Sequence, residues 1–222
     1  MSRSTEKAYF QIREMILEGE FLPGDHLSEE QLSNAVGVSR TPVRDALRRL
    51  ENDFFVTIQT NRGARVRSWS REDIDDLFQL RAMLEGFAAK RAAQRATKNQ
   101  IDMLYEEIAR INAALSKKGA VNVETFLDAN ANIHRIICEA SGNKRLVDMI
   151  DALVAQAVVV RTAKGYSSEE LRRSNLHHKD MADAIAAGNA DLAENIMKLH
   201  ILAAEEAFKA AAQPSVNGQS EE

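Results

Sequence analysis

Apolar positions recur along most of the chain in steps of three and four residues, the spacing that gathers side chains on one face of an α-helix. From Thr5 to about Glu18 the stripe is Ala8, Ile12, Met15 and Ile16. A shorter amphipathic stretch from Leu27 to Val36 carries Ser28 as its N-cap, and Gly37 closes it in a tight turn. The next helix gathers Val43, Ala46, Leu47 and Leu50 behind Ser39 as N-cap. Its Pro42 falls in the first turn, where a missing N–H costs nothing. The period then changes. Residues 54–58 and 64–67 are β-prone runs separated by Gln59-Thr60-Asn61-Arg62-Gly63, whose Asn and Gly suit a hairpin tip.

Beyond Trp69 the helical period returns and stays. Ser70-Arg71-Glu72-Asp73 resembles a capping box and starts a helix running to about Ala96, with Ile74, Leu77, Leu80, Leu84 and Phe87 as its expected core face. Ile101, Leu104, Ile108, Ile111 and Leu115 mark another, ended by Lys117-Lys118-Gly119. A third runs from Val123 to Ala140 through Phe126, Ile133 and Ile137. The apolar run from Leu146 to about Thr162 predicts a single helix near the bundle centre or at a dimer interface. The last two helices, about 168–187 and 190–212, flank a tight Gly188-Asn189 link and predict an antiparallel hairpin. The expected fold is therefore mostly α: a winged helix-turn-helix over 1–69, an antiparallel helical bundle over 70–212, and a polar, disordered tail over 213–222.

Composition supports helices over sheets, with 3 Pro and 10 Gly among 222 residues and 45% hydrophobic content. A single cysteine, Cys138, cannot form an internal disulfide, and no N-terminal apolar run resembles a signal peptide or a membrane span, so a cytoplasmic protein is expected. The net charge of −4 argues at first against a nucleic-acid binder. Counted locally, residues 1–37 carry 3 Lys/Arg against 7 Asp/Glu, whereas residues 38–67 carry 7 Arg against 3 Asp/Glu. Positive charge thus concentrates on the second helix of the pair and on the hairpin. There Arg40, Arg44 and Arg48 form an i, i+4, i+8 line with Thr41 beside it, opposite the apolar face. Such a helix enters the major groove while the basic wing lies along the backbone or minor groove.

The stretches Leu22-Pro23-Gly24-Asp25-His26-Leu27-Ser28-Glu29, Gly37 to Glu51 and Asn61-Arg62-Gly63-Ala64-Arg65-Val66 resemble, in order and spacing, the DNA-binding domain of the GntR superfamily of bacterial transcription regulators. The resemblance implies a homodimer on an inverted-repeat operator in double-stranded DNA. Arg40, Thr41 and Arg44 would face bases or nearby phosphates, with Arg48 on the same line and Asn61, Arg62 and Gly63 assisting from the wing tip. Glu30 is a departure, since the best-known fatty-acid-responsive member has a DNA-touching arginine there.

The bundle holds candidate metal chemistry. His178 lies 10 residues before Gly188 and His200 lies 12 after it, so at about 1.5 Å per residue the two stand at nearly equal height on paired helices. His134 sits between Ile133 and Ile137, with Asn130 one turn earlier on the same face. Three inward imidazoles suit a divalent metal, because neutral imidazole nitrogen binds Zn, Ni and similar ions; three independent core or surface histidines are the plain alternative. The segments around Asn130 to His134, Ala140 to Asn143, His178 to Ala190 and His200 are similar to the FCD effector domain of the FadR subfamily. In metal-binding members an Asp and three His fill these positions, and here Asn130 stands where Asp is usual. The resemblance implies a metal such as Zn, Ni or Mn on His134, His178 and His200, with Asn130 a weak or absent fourth ligand. Arg81 resembles the subfamily arginine and would clamp an effector carboxylate, or form an ion pair with Glu85. His26 and His177 do not match the pattern and read as surface residues. The expected function is a ligand-responsive transcription regulator, a repressor, controlled by a small organic acid. The alternative, a metal-dependent enzyme using the three histidines, lacks a Glu or Asp in a recognised catalytic spacing.

Overall fold

A computed structural model describes residues 2–59, 63–116, 122–154 and 156–212. Within these, two compact units form: one runs through Arg71 and is joined by residues at the start of a later helix, and the other comprises the rest from Glu72 onward.

In the first unit, α1 (Arg3–Leu17) buries Ala8, Tyr9, Ile12 and Ile16. A two-residue strand β1 (His26–Leu27) leads into α2 (Glu29–Val36), where the Ser28 side chain accepts from the Gln31 N–H. Gly37 turns the chain at φ 70°, a left-handed value that favours glycine, and α3 follows (Arg40–Asn52). Ser39 occupies the N-cap with extended backbone but without the side-chain cap bond that its type suggests. Val43, Ala46, Leu47 and Leu50 are buried as their spacing predicts. The hairpin β2 (Val56–Gln59) and β3 (Gly63–Val66) pairs antiparallel, and β3 also pairs with β1. That third strand was not expected, because two residues carry no readable alternation. Thr60, Asn61 and Arg62 lie outside the described residues.

The second unit begins with α4 (Arg71–Arg95), followed by α5 (Lys98–Ser116) and α6 (Val123–Ala140). The single helix expected over 146–162 is instead two, α7 (Lys144–Leu153) and α8 (Gln156–Gly165), because Val154 leaves the helical region at ψ 104°. A continuous apolar run has no phase to mark such a break. Helices α9 (Ser168–Ala186) and α10 (Ala190–Ala212) form the expected hairpin. Ser167 and Glu170 close a capping box at its start, and Gly188 adopts φ 70° in the link. Helix α5 packs on α6 and α9, and α9 packs on α10, around Leu104, Ile111, Ile133, Ile136 and Ile137. Helix α4 lies along α10, with Lys90 bonded to Asp191 and Glu194, and Phe78 against Phe208.

The buried face of α4 follows its large side chains only in the first turns, where Ile74 and Leu77 are buried as expected. Phe78, Arg81, Ala82, Glu85 and Ala89 turn inward, while Leu80, Met83 and Phe87 are exposed. Beyond Leu80, small and charged residues face the bundle, and Met83 and Phe87 face away. The proposed tail, 213–222, and the turn around Lys117 to Gly119 lie outside the described residues.

Candidate functional site

In the helical unit, α6, α9 and α10 bring His134, His178 and His200 together, with one ring nitrogen of each within 4.8 Å of the others. Equal heights across the Gly188 link are realised as a 4.5 Å separation of the His178 and His200 rings. His134 Nε2 and His200 Nε2 lie 3.2 Å apart, a spacing at which two ring nitrogens must share a proton or a cation. Among the described residues, both ring nitrogens of His178 and Nδ1 of His200 are buried with no hydrogen-bond partner. Burial, reinforced by the neighbouring imidazoles, pushes both histidines well below the ordinary range and keeps them neutral. Neutral, clustered imidazoles with unpaired nitrogens are a donor set that fits Zn, Ni or Mn.

Glu85 is the residue that sequence reasoning undervalued. It has no exposed surface, and its carboxylate is divided: Oε1 accepts from Arg81 Nε at 2.7 Å and Oε2 lies 2.5 Å from His134 Nδ1. Burial alone would raise its pKa, but Arg81 and His134 outweigh that and hold it down to about 2. An ionised carboxylate only accepts, so the hydrogen of this bond sits on His134 Nδ1 and a neutral His134 presents Nε2 as a lone pair toward the cluster. The available signal was the i, i+4 spacing of Arg81 and Glu85, which shows the ion pair but not the histidine across the bundle.

Arg81, Asn130, His134 and His200 line one narrow cleft with Tyr166 and Ser174. Asn130 is half-buried on this wall. Burial, with Glu170 adding, raises the Tyr166 hydroxyl to about 12 and keeps it a neutral donor. His177, read from sequence as a surface residue, is half-buried with its ring 6.0 Å from that of His200; His26 is exposed.

In the N-terminal unit, α3 holds Arg40, Thr41, Arg44 and Arg48 at the surface, with the three arginine side chains 62%, 56% and 68% exposed. The concentration of positive charge counted along the sequence is offset in space. Arg40 Nη2 donates to Glu30 at 2.9 Å, and Arg44 donates from Nε and Nη2 to both oxygens of Glu29 at 2.8 and 2.7 Å. Gly63 opens β3 at φ 82°, where an added Cβ would run into the Leu27 carbonyl oxygen. Its place in the sheet is therefore structural, whatever it contributes at the wing. Asn61 and Arg62 lie outside the described residues.

A winged helix-turn-helix followed along the chain by an all-helical unit with a polar, histidine-lined cleft defines a DNA-binding transcription regulator. Comparison with known proteins gives the family. The profile of the FCD domain matches residues 76–203, and that of bacterial regulatory proteins of the gntR family matches residues 4–66. The chain belongs to the GntR family of bacterial transcription regulators, in the group that carries an FCD domain. The family's members are regulators, not enzymes. Among relatives, the Nta operon transcriptional regulator of Aminobacter aminovorans is 28% identical over 82% of this chain and 83% of its own length. The transcriptional repressor RspR of Escherichia coli (strain K12) is 25% identical over 98% of this chain and 94% of its own. Among solved structures, McbR/YncC of E. coli superposes with a TM-score of 0.68 at 20% identity, covering 91% of this chain and 95% of that one, a likeness of fold. No helix among the described residues is long and apolar enough to cross a membrane.

Proposed function

We propose that this protein is a cytoplasmic, homodimeric, metal-assisted repressor whose hold on an inverted-repeat operator is set by a small organic acid in the helical cleft. The domains would divide at about residue 69, with Arg40, Thr41, Arg44, Arg48 and the wing tip from Asn61 to Gly63 contacting DNA. The observation that carries the reading is the trio His134, His178 and His200, in which His178 and His200 hold buried nitrogens with no hydrogen-bond partner, next to a cleft walled by Arg81 and Asn130. A divalent ion bound there would supply a Lewis acid for an acid's oxygens. His134 would offer Nε2 while Glu85 holds its Nδ1, and Arg81 would grip a carboxylate with its planar fork. Ser174 and Tyr166 provide neutral hydroxyls on the same wall, suited to hydroxyl or carbonyl oxygens of the same molecule. Two relatives are named a repressor or a probable repressor, which favours repression for this chain. The acid can release DNA only by binding two dispositions of the dimer with different affinity.

Metal titration of chelator-stripped protein tests this. Zn, Ni or Mn should bind one per chain, His178→Ala and His200→Ala should weaken binding strongly, and Asn130→Asp should tighten it by restoring an anionic donor. Absence of binding by wild type to all three ions, with and without added small carboxylic acids, would sink the metal reading and leave Arg81 and hydrogen bonds to hold the effector.

A further inference from the structure

The DNA-facing arginines are not free. Arg40 meets Glu30, Arg44 meets Glu29, and Arg48 lies 3.8 Å from Asp45, so the three charges of the recognition line are matched by three carboxylates. Two of those carboxylates come from the first turn of α2, placed there by the Ser28 cap and the Gly37 turn that fold α2 back on α3. The Arg44 pair is bidentate: Nε and Nη2, one edge of its fork, are both taken by Glu29.

Resting on the reading that α3 contacts DNA, we propose that Glu29 and Glu30 are specificity determinants: they neutralise Arg44 and Arg40 and so suppress binding to DNA that offers only phosphates. A phosphate on arbitrary DNA offers the fork two anionic oxygens, as a carboxylate does, so it is no better a partner than the carboxylate already in place. It therefore gains little by displacing Glu29 or Glu30. Guanine offers O6 and N7 as paired acceptors in fixed geometry, which an arginine fork matches with two hydrogen bonds. Arg44 keeps Nη1 and the second hydrogen of Nη2 for such a pair of neutral acceptors while Glu29 holds the other edge, so the carboxylates weaken the pull of the uniform backbone more than they weaken base readout. The Arg44 hydrogen bonds also keep the Glu29 pKa below its ordinary value, so this carboxylate stays ionised throughout the neutral range.

The test uses full-length protein and two probes: a random-sequence duplex, and a duplex enriched from a random pool by the wild-type protein. Affinities are measured by fluorescence anisotropy across a series of salt concentrations. Glu30→Gln and Glu29→Gln keep side-chain length while removing charge, and melting temperatures confirm that each folds. Each contact freed for a phosphate steepens the slope of log affinity against log salt by about 0.9, which at 0.1 M salt is roughly an eightfold gain on the random duplex. The enriched duplex should gain less, so the ratio between the probes should fall. Glu139→Gln, which removes the same charge from an exposed site on α6 paired with Arg135, should change neither probe. Unchanged random-duplex affinity and slope in both α2 variants and in their double would overturn the proposal while leaving α3 as the DNA-contacting helix. A gain of equal size in Glu139→Gln would overturn it in favour of whole-molecule charge. If wild type and every variant bind neither probe, the DNA-contact reading and this proposal fall together.

Discussion

A carboxylate without exposed surface keeps its charge only where a cation and hydrogen-bond donors hold it, and Glu85 has the Arg81 guanidinium on one oxygen and His134 Nδ1 on the other. Replacing it with Gln removes the anionic partner that orients His134, and outer ligands of this kind typically contribute about 10–100-fold to metal affinity. Calorimetric titration of Glu85→Gln should show that loss; an unchanged dissociation constant would reduce Glu85 to a scaffold residue. The histidines make a separate expectation for pH. His178 and His200 are held neutral in the fold, with pKa values well below 6.5, so below about 6.5 the unfolded chain binds protons that the native one refuses. Stability present above that point should therefore fall on acidification, by up to about 1.4 kcal/mol per pH unit for each such histidine. Urea unfolding in chelator at pH 7.5, 6.5 and 5.5 should show the decline, and His178→Gln should reduce its slope. Glu85, depressed to about 2, contributes no slope in that window. A flat profile would mean the histidines are solvated after all. The pairing of His178 and His200 was legible, since they lie 10 and 12 residues either side of Gly188 and so stand nearly level at the helical rise, and the family resemblance added His134. The Glu85 bond to His134 was not, because 49 residues separate them and no local period links α4 to α6.

Among elements, those with a clean period and a cap were readable. Helices α5 and α6 fall where the stripes through Leu104 and Ile133 put them, and α9 where the hairpin around Gly188 does. Reading failed where the signal was uniform or contrary. The Val158-Val159-Val160 run hid the break between α7 and α8, and α4 turns its alanines, Arg81 and Glu85 inward against the expectation set by Leu80 and Phe87. Strand β1 is too short to alternate, yet it fixes the wing. Gly63 is the point of closest approach: its φ of 82° and the Leu27 carbonyl leave no space for a side chain. Gly63→Ala should cost roughly 1–3 kcal/mol in strain and loosen β1 from β3. Hydrogen exchange should then show faster amides at Gly24 and Val66, whose N–H groups bond across this sheet, with α5 and α9 unaffected. Unaltered protection there would show that the sheet accommodates the methyl. DNA affinity should fall in the same variant while metal binding stays.

At the scale of the molecule, two apolar rows remain on the surface of the helical unit. Leu80, Met83 and Phe87 lie at i, i+3 and i+7 on α4, and Leu192, Leu199 and Leu202 lie at i, i+7 and i+10 on α10. Monomeric proteins rarely leave ordered rows of this kind in water, which supports a second copy as their partner. Met83→Glu should shift full-length protein toward monomer in sedimentation at micromolar concentration, and weaken binding to a two-half-site duplex more than to a single half-site. A variant that sediments as wild type would remove α4 from the interface. The divided carboxylate of Glu85 has a last consequence at this scale. On the proposed reading, an acid that drew Arg81 to itself would take the cation from Glu85 and leave the carboxylate to His134 alone, so that occupancy of the cleft and of the histidine cluster would become one linked equilibrium. Linkage is reciprocal: whatever factor the acid adds to the ion's affinity, the ion adds to the acid's. If the protein is the metal-assisted repressor proposed above, a cell short of the metal would release the operator only at a higher level of the acid.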